Sequence, residues 1–130
     1  MDPADRHFRL FVAGVPRPHQ RPELRAGRYR QRHDRPQDLA WRTTVRAAWL
    51  AGVGSLAWAG PVSLDLTFFG GRGDLTNKIK AVEDALGATG WRDGLAPLYR
   101  DDRQVVQLHA EQQPAGQRGP GVEIIAALLC

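Results

Sequence analysis

Two stretches of the chain gather carboxylates beside an amide and an ammonium, residue types that can hold a divalent cation. The first is Gly73-Asp74-Leu75-Thr76-Asn77-Lys78-Ile79-Lys80-Ala81-Val82-Glu83-Asp84-Ala85-Leu86. Asn77, Lys80 and Asp84 recur at i, i+3 and i+7, so a helix here presents an amide, an ammonium and a carboxylate on one face, with the Asp74 carboxylate at its mouth. The second is Arg100-Asp101-Asp102-Arg103-Gln104-Val105-Val106, whose adjacent carboxylates repel unless each finds a cation. A divalent metal meets that need. Singly, each stretch has a plainer reading: Asp74 or Thr76 as a helix cap, Lys80 with Asp84 as an exposed i, i+4 pair, Asp101-Asp102 as a surface turn. Both stretches in one small basic chain favour the chemical reading.

The 130 residues suit one compact unit, and 42% hydrophobic with 25% charged residues disfavours disorder and fibrous architectures. Lysine and arginine total 18 against 14 acids, a net charge of +4, and only Lys78 and Lys80 are lysines. The charge is unevenly placed: residues 1–46 hold 11 arginines against 5 acids, whereas residues 47–130 hold 7 basic residues against 9 acids. The first part attracts a polyanion, with nucleic acid the expected partner, and the second gathers carboxylates. Cys130 is the sole cysteine, so an intramolecular disulfide and a cysteine zinc cluster are excluded, and a cytoplasmic location is expected. Met1 to Asp5 lacks a secretory pattern, and the longest apolar run, Ala47 to Gly60, is too short to span a bilayer, so no membrane partner is expected. His7, His19, His33 and His109 are scattered without metal-site spacing.

Period-two alternation of Phe8, Leu10 and Val12 predicts a first strand ending at Gly14-Val15-Pro16. The arginine-rich stretch from Arg17 to Arg35 has almost no aliphatic residues and reads as a long basic loop or arm. Pro36 opens a helix to about Ala51, with Trp41, Val45, Ala48 and Trp49 on one apolar face and Ala40, Thr44, Ala47 and Ala51 on a second face of small side chains. Alternation of Val62, Leu64, Leu66 and Phe68 predicts a strand from Val62 to Phe69, and a helix from about Asn77 to Leu86 buries Ile79, Val82 and Leu86. Gln104 to Ala110 and Gly121 to Leu128 complete the pattern as strands. The order predicts a mixed α/β (α+β) fold in one domain over residues 1–130, with one mixed sheet packed against two helices.

Three blocks now stand in order along nearly the whole chain: Gly14-Val15-Pro16-Arg17-Pro18 after the first strand, Asp74-x-x-Asn77-x-x-Lys80-x-x-x-Asp84-Ala85-Leu86, and Asp101-Asp102-x-Gln104-Val105. In these blocks the chain resembles the RusA-type Holliday junction resolvases. The resemblance implies a homodimeric endodeoxyribonuclease that resolves four-way DNA junctions by paired symmetric nicks in recombination and repair. It implies dependence on Mg²⁺, for which Mn²⁺ substitutes, and no small-molecule cofactor. By position Asp74 and Asp102 match family catalytic acids and Lys80 an essential lysine. Asp74 and Asp102 are then the expected metal ligands, with Asp101 as a further one, and Asn77, Thr76 and Asp84 support the site. Arg17, Arg21, Arg25, Arg28, Arg30 and Arg32 are the expected contacts to DNA phosphates. Two features depart from the family pattern: Thr76 stands where an aspartate is usual, and the segment Trp91-Arg92-Asp93-Gly94-Leu95-Ala96-Pro97 lengthens the connection after the helix. A hydroxyl is a weaker magnesium ligand than a carboxylate, so the alternatives are a non-catalytic or metal-impaired junction-binding protein and a nuclease for other branched forms.

Overall fold

The computed structural model describes residues 6–18 and 36–129 in full, and the backbone of residues 23–25 and 28–30. Strand β1 spans His7–Ala13, two short strands follow as β2 (Glu23–Arg25) and β3 (Arg28–Arg30), and helix α1 spans Pro36–Gly52. Then come β4 (Val62–Phe69), α2 (Leu75–Leu86), β5 (Val105–Gln113) and β6 (Gly121–Leu128). The four long strands form one mixed sheet in the order β1-β6-β4-β5. In it β6 runs antiparallel to both β1 and β4, and β5 parallel to β4.

Alternation builds the core as the sequence predicts. Val62, Leu64, Leu66 and Phe68 of β4 are each at most 2% exposed, and Val122, Ile124 and Ala126 of β6 join them on the same face. Val45 and Trp49 of α1 and Val82 and Leu86 of α2 close over that face in a single cluster. Among the described residues no helix is long and apolar enough to cross a membrane.

The structure corrects or extends the sequence reading at four places. The stretch read as a long basic loop or arm from Arg17 to Arg35 contains an antiparallel ribbon, β2 with β3, pairing Glu23 with Arg30, Leu24 with Tyr29 and Arg25 with Arg28. Its strands are three residues long, too short for alternation to register. On α1 the small residues Ala40, Thr44, Ala47 and Ala51 are exposed, and the second buried stripe is polar: Asp38, Arg42 and Arg46. On α2 Ile79 is only partly buried, whereas Lys78 is fully so, beside Ala81, Val82, Ala85 and Leu86. Strand β5 also starts and ends later than its apolar pattern suggests, because Gln104 belongs to a single 3-10 turn spanning Asp102–Gln104.

Candidate active site

The mouth of α2 is set by the loop between β4 and the helix. Gly71 and Gly73 have φ of 84° and 106°, in the left-handed range that side chains avoid. A Cβ at Gly71 would lie 2.7 Å from the Pro16 carbonyl oxygen, and one at Gly73 would press on the Pro18 ring at 3.2 Å. The chain leaving β1 and the loop entering α2 therefore lie back to back, which brings two of the three sequence blocks together. Asp74 caps α2: its carboxylate accepts from the Asn77 backbone N–H at 3.0 Å and from the Asn77 side-chain amide at 3.3 Å. Thr76 stands exposed on the first turn.

Further along the same helix face the third block arrives. Lys80 Nζ lies 3.1 Å from Asp84 Oδ1 and 3.3 Å from Asp102 Oδ2, so one ammonium bridges a helix carboxylate and a turn carboxylate. Burial alone would lower the Lys80 pKa, but the hydrogen bonds and charges of Asp84 and Asp102 outweigh it and raise the pKa above its usual value. Burial pushes the neighbouring Glu83 carboxyl up, and the Asp102 charge adds to that. The two adjacent aspartates have different surroundings. Asp101 faces Arg103, accepting from its backbone N–H at 2.9 Å and its guanidinium at 2.7 Å, and Arg103 holds the carboxyl down at about 2. Asp102 alone of the two reaches Lys80.

Sequence reasoning missed two residues that build this arrangement. Gln104 accepts from the backbone N–H groups of Arg100 and Asp101 at 2.9 and 3.0 Å and donates to the carbonyls of Trp58 and Gly60. All its amide capacity goes into holding the Asp101-Asp102 turn against the chain before β4, and its place in the Asp-Asp-x-Gln block was the signal. Lys78 donates to the Gln112 side-chain oxygen on β5 and reaches the Gly70 carbonyl at 3.5 Å. Burial lowers its pKa and the Asp74 charge opposes that shift. A lysine between polar neighbours gives no sequence signal of burial.

Gly87 marks how closely the parts fit. A Cβ there would lie 3.2 Å from the Tyr99 ring, 3.3 Å from the Glu83 carbonyl and 3.4 Å from Asp102 Oδ1. Gly87→Ala is expected to cost roughly 1–3 kcal/mol of stability through overpacking. It should also displace Asp102 from Lys80 and so lower the ammonium pKa that Asp102 helps to raise. Thermal melting checks the first effect and an NMR titration of Lys80 the second.

The remaining site residues divide by what surrounds them. Arg17 donates to the buried Asp38 at 2.8 Å, which anchors the start of the basic arm to α1. The side chains of Arg25, Arg28 and Arg30, and all of Arg21 and Arg32, lie outside the described residues. For metal binding, no group of three or more acidic, histidine or cysteine side chains able to hold an ion occurs among the described residues. Magnesium needs only one or two carboxylates when water and substrate phosphate complete its shell. The acids present fit an ion completed by substrate rather than a protein cage.

A family model described as Endodeoxyribonuclease RusA matches residues 13–126. No curated protein matches the sequence. Because that match spans nearly the whole chain, the chain belongs to the RusA endodeoxyribonuclease family, enzymes that resolve Holliday junctions in branched DNA.

Proposed function

We propose that this chain is a Mg²⁺-dependent, homodimeric resolvase, one domain with a basic arm at about residues 17–35, that nicks four-way junctions symmetrically. The observation that carries the reading is the Lys80 ammonium held between Asp84 and Asp102 on the face of α2 that Asp74 opens. Asp74 and Asp102 would hold the divalent ion, which when bound lowers the pKa of a water and polarises the phosphate. Asp101 joins them as a further ligand in this reading only by releasing its exposed ion pair with Arg103.

The chain's own residues do the rest. Hydrolysis joins a water oxygen to phosphorus as the bond to the leaving sugar oxygen breaks, and negative charge grows on the phosphate and on that oxygen. Lys80 keeps its proton well past neutral pH, so it offers a fixed positive charge to those oxygens. Asp84 holds the ammonium in place when Asp102 turns to other partners. Asn77, tied to Asp74, fixes the orientation of that carboxylate. The arginines of the arm grip backbone phosphates, giving affinity without sequence information. Paired incisions in a nearly two-fold substrate need two such sites, and the exposed small-residue face Ala40, Thr44, Ala47 and Ala51 is the dimer contact in this reading.

A second reading has specific support. Thr76 removes an acid from the first turn and Lys78 places a buried cation near Asp74, and both weaken attraction for a divalent ion. A labelled four-way junction titrated with Mg²⁺ or Mn²⁺ separates the two. Paired symmetric nicks are expected, with Thr76→Asp lowering the metal concentration required. Binding without product would establish a junction-binding protein, and faster cutting of flaps would establish a different branched substrate.

A further inference from the structure

The segment Trp91 to Pro97, which lengthens the connection after α2, is held over Trp91 to Leu95 by one buried arginine. Arg46 of α1 is 3% exposed, and all five of its N–H donors are used. Nε and Nη2 each meet a different oxygen of Asp93 at 2.8 Å. Nη1 donates to the carbonyls of Ala85 and Gly87 at 3.0 and 2.7 Å, and Nη2 also to that of Leu95. Its guanidinium lies 4.4 Å from the centre of the Trp91 ring, and Trp91 Nε1 donates to the Asp84 carbonyl at 2.6 Å. The indole is therefore clamped beside the helix turn that carries Asp84.

Between this indole and α1 lies a cleft of about 390 Å³, lined by Leu39, Arg42, Thr89 and Trp91 and bounded by Lys80 and Asp84. Leu39 is 50% exposed, a large apolar side chain at the surface, while Arg42 is 8% exposed. The cleft is large enough for one nucleotide and far too small for a duplex arm. It is continuous with the ammonium proposed to face the scissile phosphate. An aromatic ring, an aliphatic surface and a guanidinium form a surface for a flat heteroaromatic ring, and Arg42 with Lys80 against the single carboxylate of Asp84 leaves net positive charge for the phosphate attached to it.

We infer that this cleft receives a single unstacked nucleobase from the strand being cut, next to the phosphate at Lys80. The inference rests on the junction-nuclease reading and adds a nucleotide subsite to it. Stacking against Trp91 would then select where along a branched strand the phosphate settles at Lys80.

The test is a set of four-way junctions, each with one abasic residue at a different position flanking the crossover, bound to the full chain and to its Trp91→Ala and Leu39→Glu variants. One abasic position is expected to weaken binding by the unaltered chain about tenfold. The same abasic position should cost Trp91→Ala and Leu39→Glu nothing further, since the contact is already lost. Leu39→Glu leaves the Arg46 clamp untouched, so it carries the test if Trp91→Ala does not fold. A flat abasic scan with tight junction binding overturns the subsite and spares the junction reading. An equal abasic penalty in the unaltered chain and in the variants also overturns it. No junction binding by the unaltered chain overturns both.

Discussion

Exchanging Asp102 for asparagine is expected to slow junction nicking by roughly 10²- to 10³-fold, the scale seen when one preorganised charge or dipole is removed from an active site. Binding of the junction measured without divalent metal should hold or tighten, because a carboxylate beside DNA opposes contacts to phosphate. The amide has the shape of the carboxylate, so the close approach to Gly87 and the Asp102–Gln104 turn should survive, and Lys80 keeps Asp84 at 3.1 Å. The adjacent acid supplies the control. Asp101 points to Arg103, so Asp101→Asn should disturb a surface ion pair and a cap while leaving the Lys80 cluster intact. Nicking rates and binding curves for both variants on one labelled junction check this. An active Asp102→Asn beside an inactive Asp101→Asn would exchange the roles of the two aspartates.

The contrast between these neighbours shows what the sequence made visible. Adjacent acids before a strand pointed to a cation, and the i, i+3, i+7 spacing on α2 placed Asn77, Lys80 and Asp84 on one face. Which aspartate meets Lys80 depends on a single turn of 3-10 helix, and that turn is held by Gln104 reaching Trp58 and Gly60, more than forty residues earlier in the chain. Periodicity reports burial against an apolar partner, so β4 with its alternating Val62, Leu64, Leu66 and Phe68 was legible end to end. The edge strand β5 was legible only in part. Its end, Glu111 to Gln113, is exposed and polar, while Val106 and Leu108 stand exposed where an apolar pattern suggests burial. Polar burial was invisible for the same reason. Asp38, Arg42 and Arg46 recur every four residues and read as a solvated face, yet Arg17 and Asp93, far off in sequence, supply the partners for Asp38 and Arg46 that make burial affordable.

Arg46 is where that hidden burial has its largest expected effect. Arg46→Met keeps the length and apolar stem but removes every donor of the fork, leaving the carbonyls of Ala85 and Gly87 buried without it. Asp93 is exposed enough to regain water, so the loss falls mainly on the two buried carbonyls, at roughly 1–3 kcal/mol each. For a domain of this size that corresponds to a fall in Tm of roughly 10–15 °C. Arg46→Lys should be nearly as damaging, because a point charge with three donors cannot span five acceptors arranged around a planar fork. The loss should depend on pH in a defined direction. Hydrogen bonding from Arg46 holds the Asp93 carboxyl down at about 2, below its ordinary value near 3.8, so this pair contributes fully above pH 4 and its contribution fades as pH falls toward 2. The gap in Tm between the unaltered chain and Arg46→Met should therefore narrow on acidification. A gap below about 3 °C at neutral pH would mean that water replaces the fork at these carbonyls. The loop carrying Trp91 would then be positioned by its own packing and not by α1.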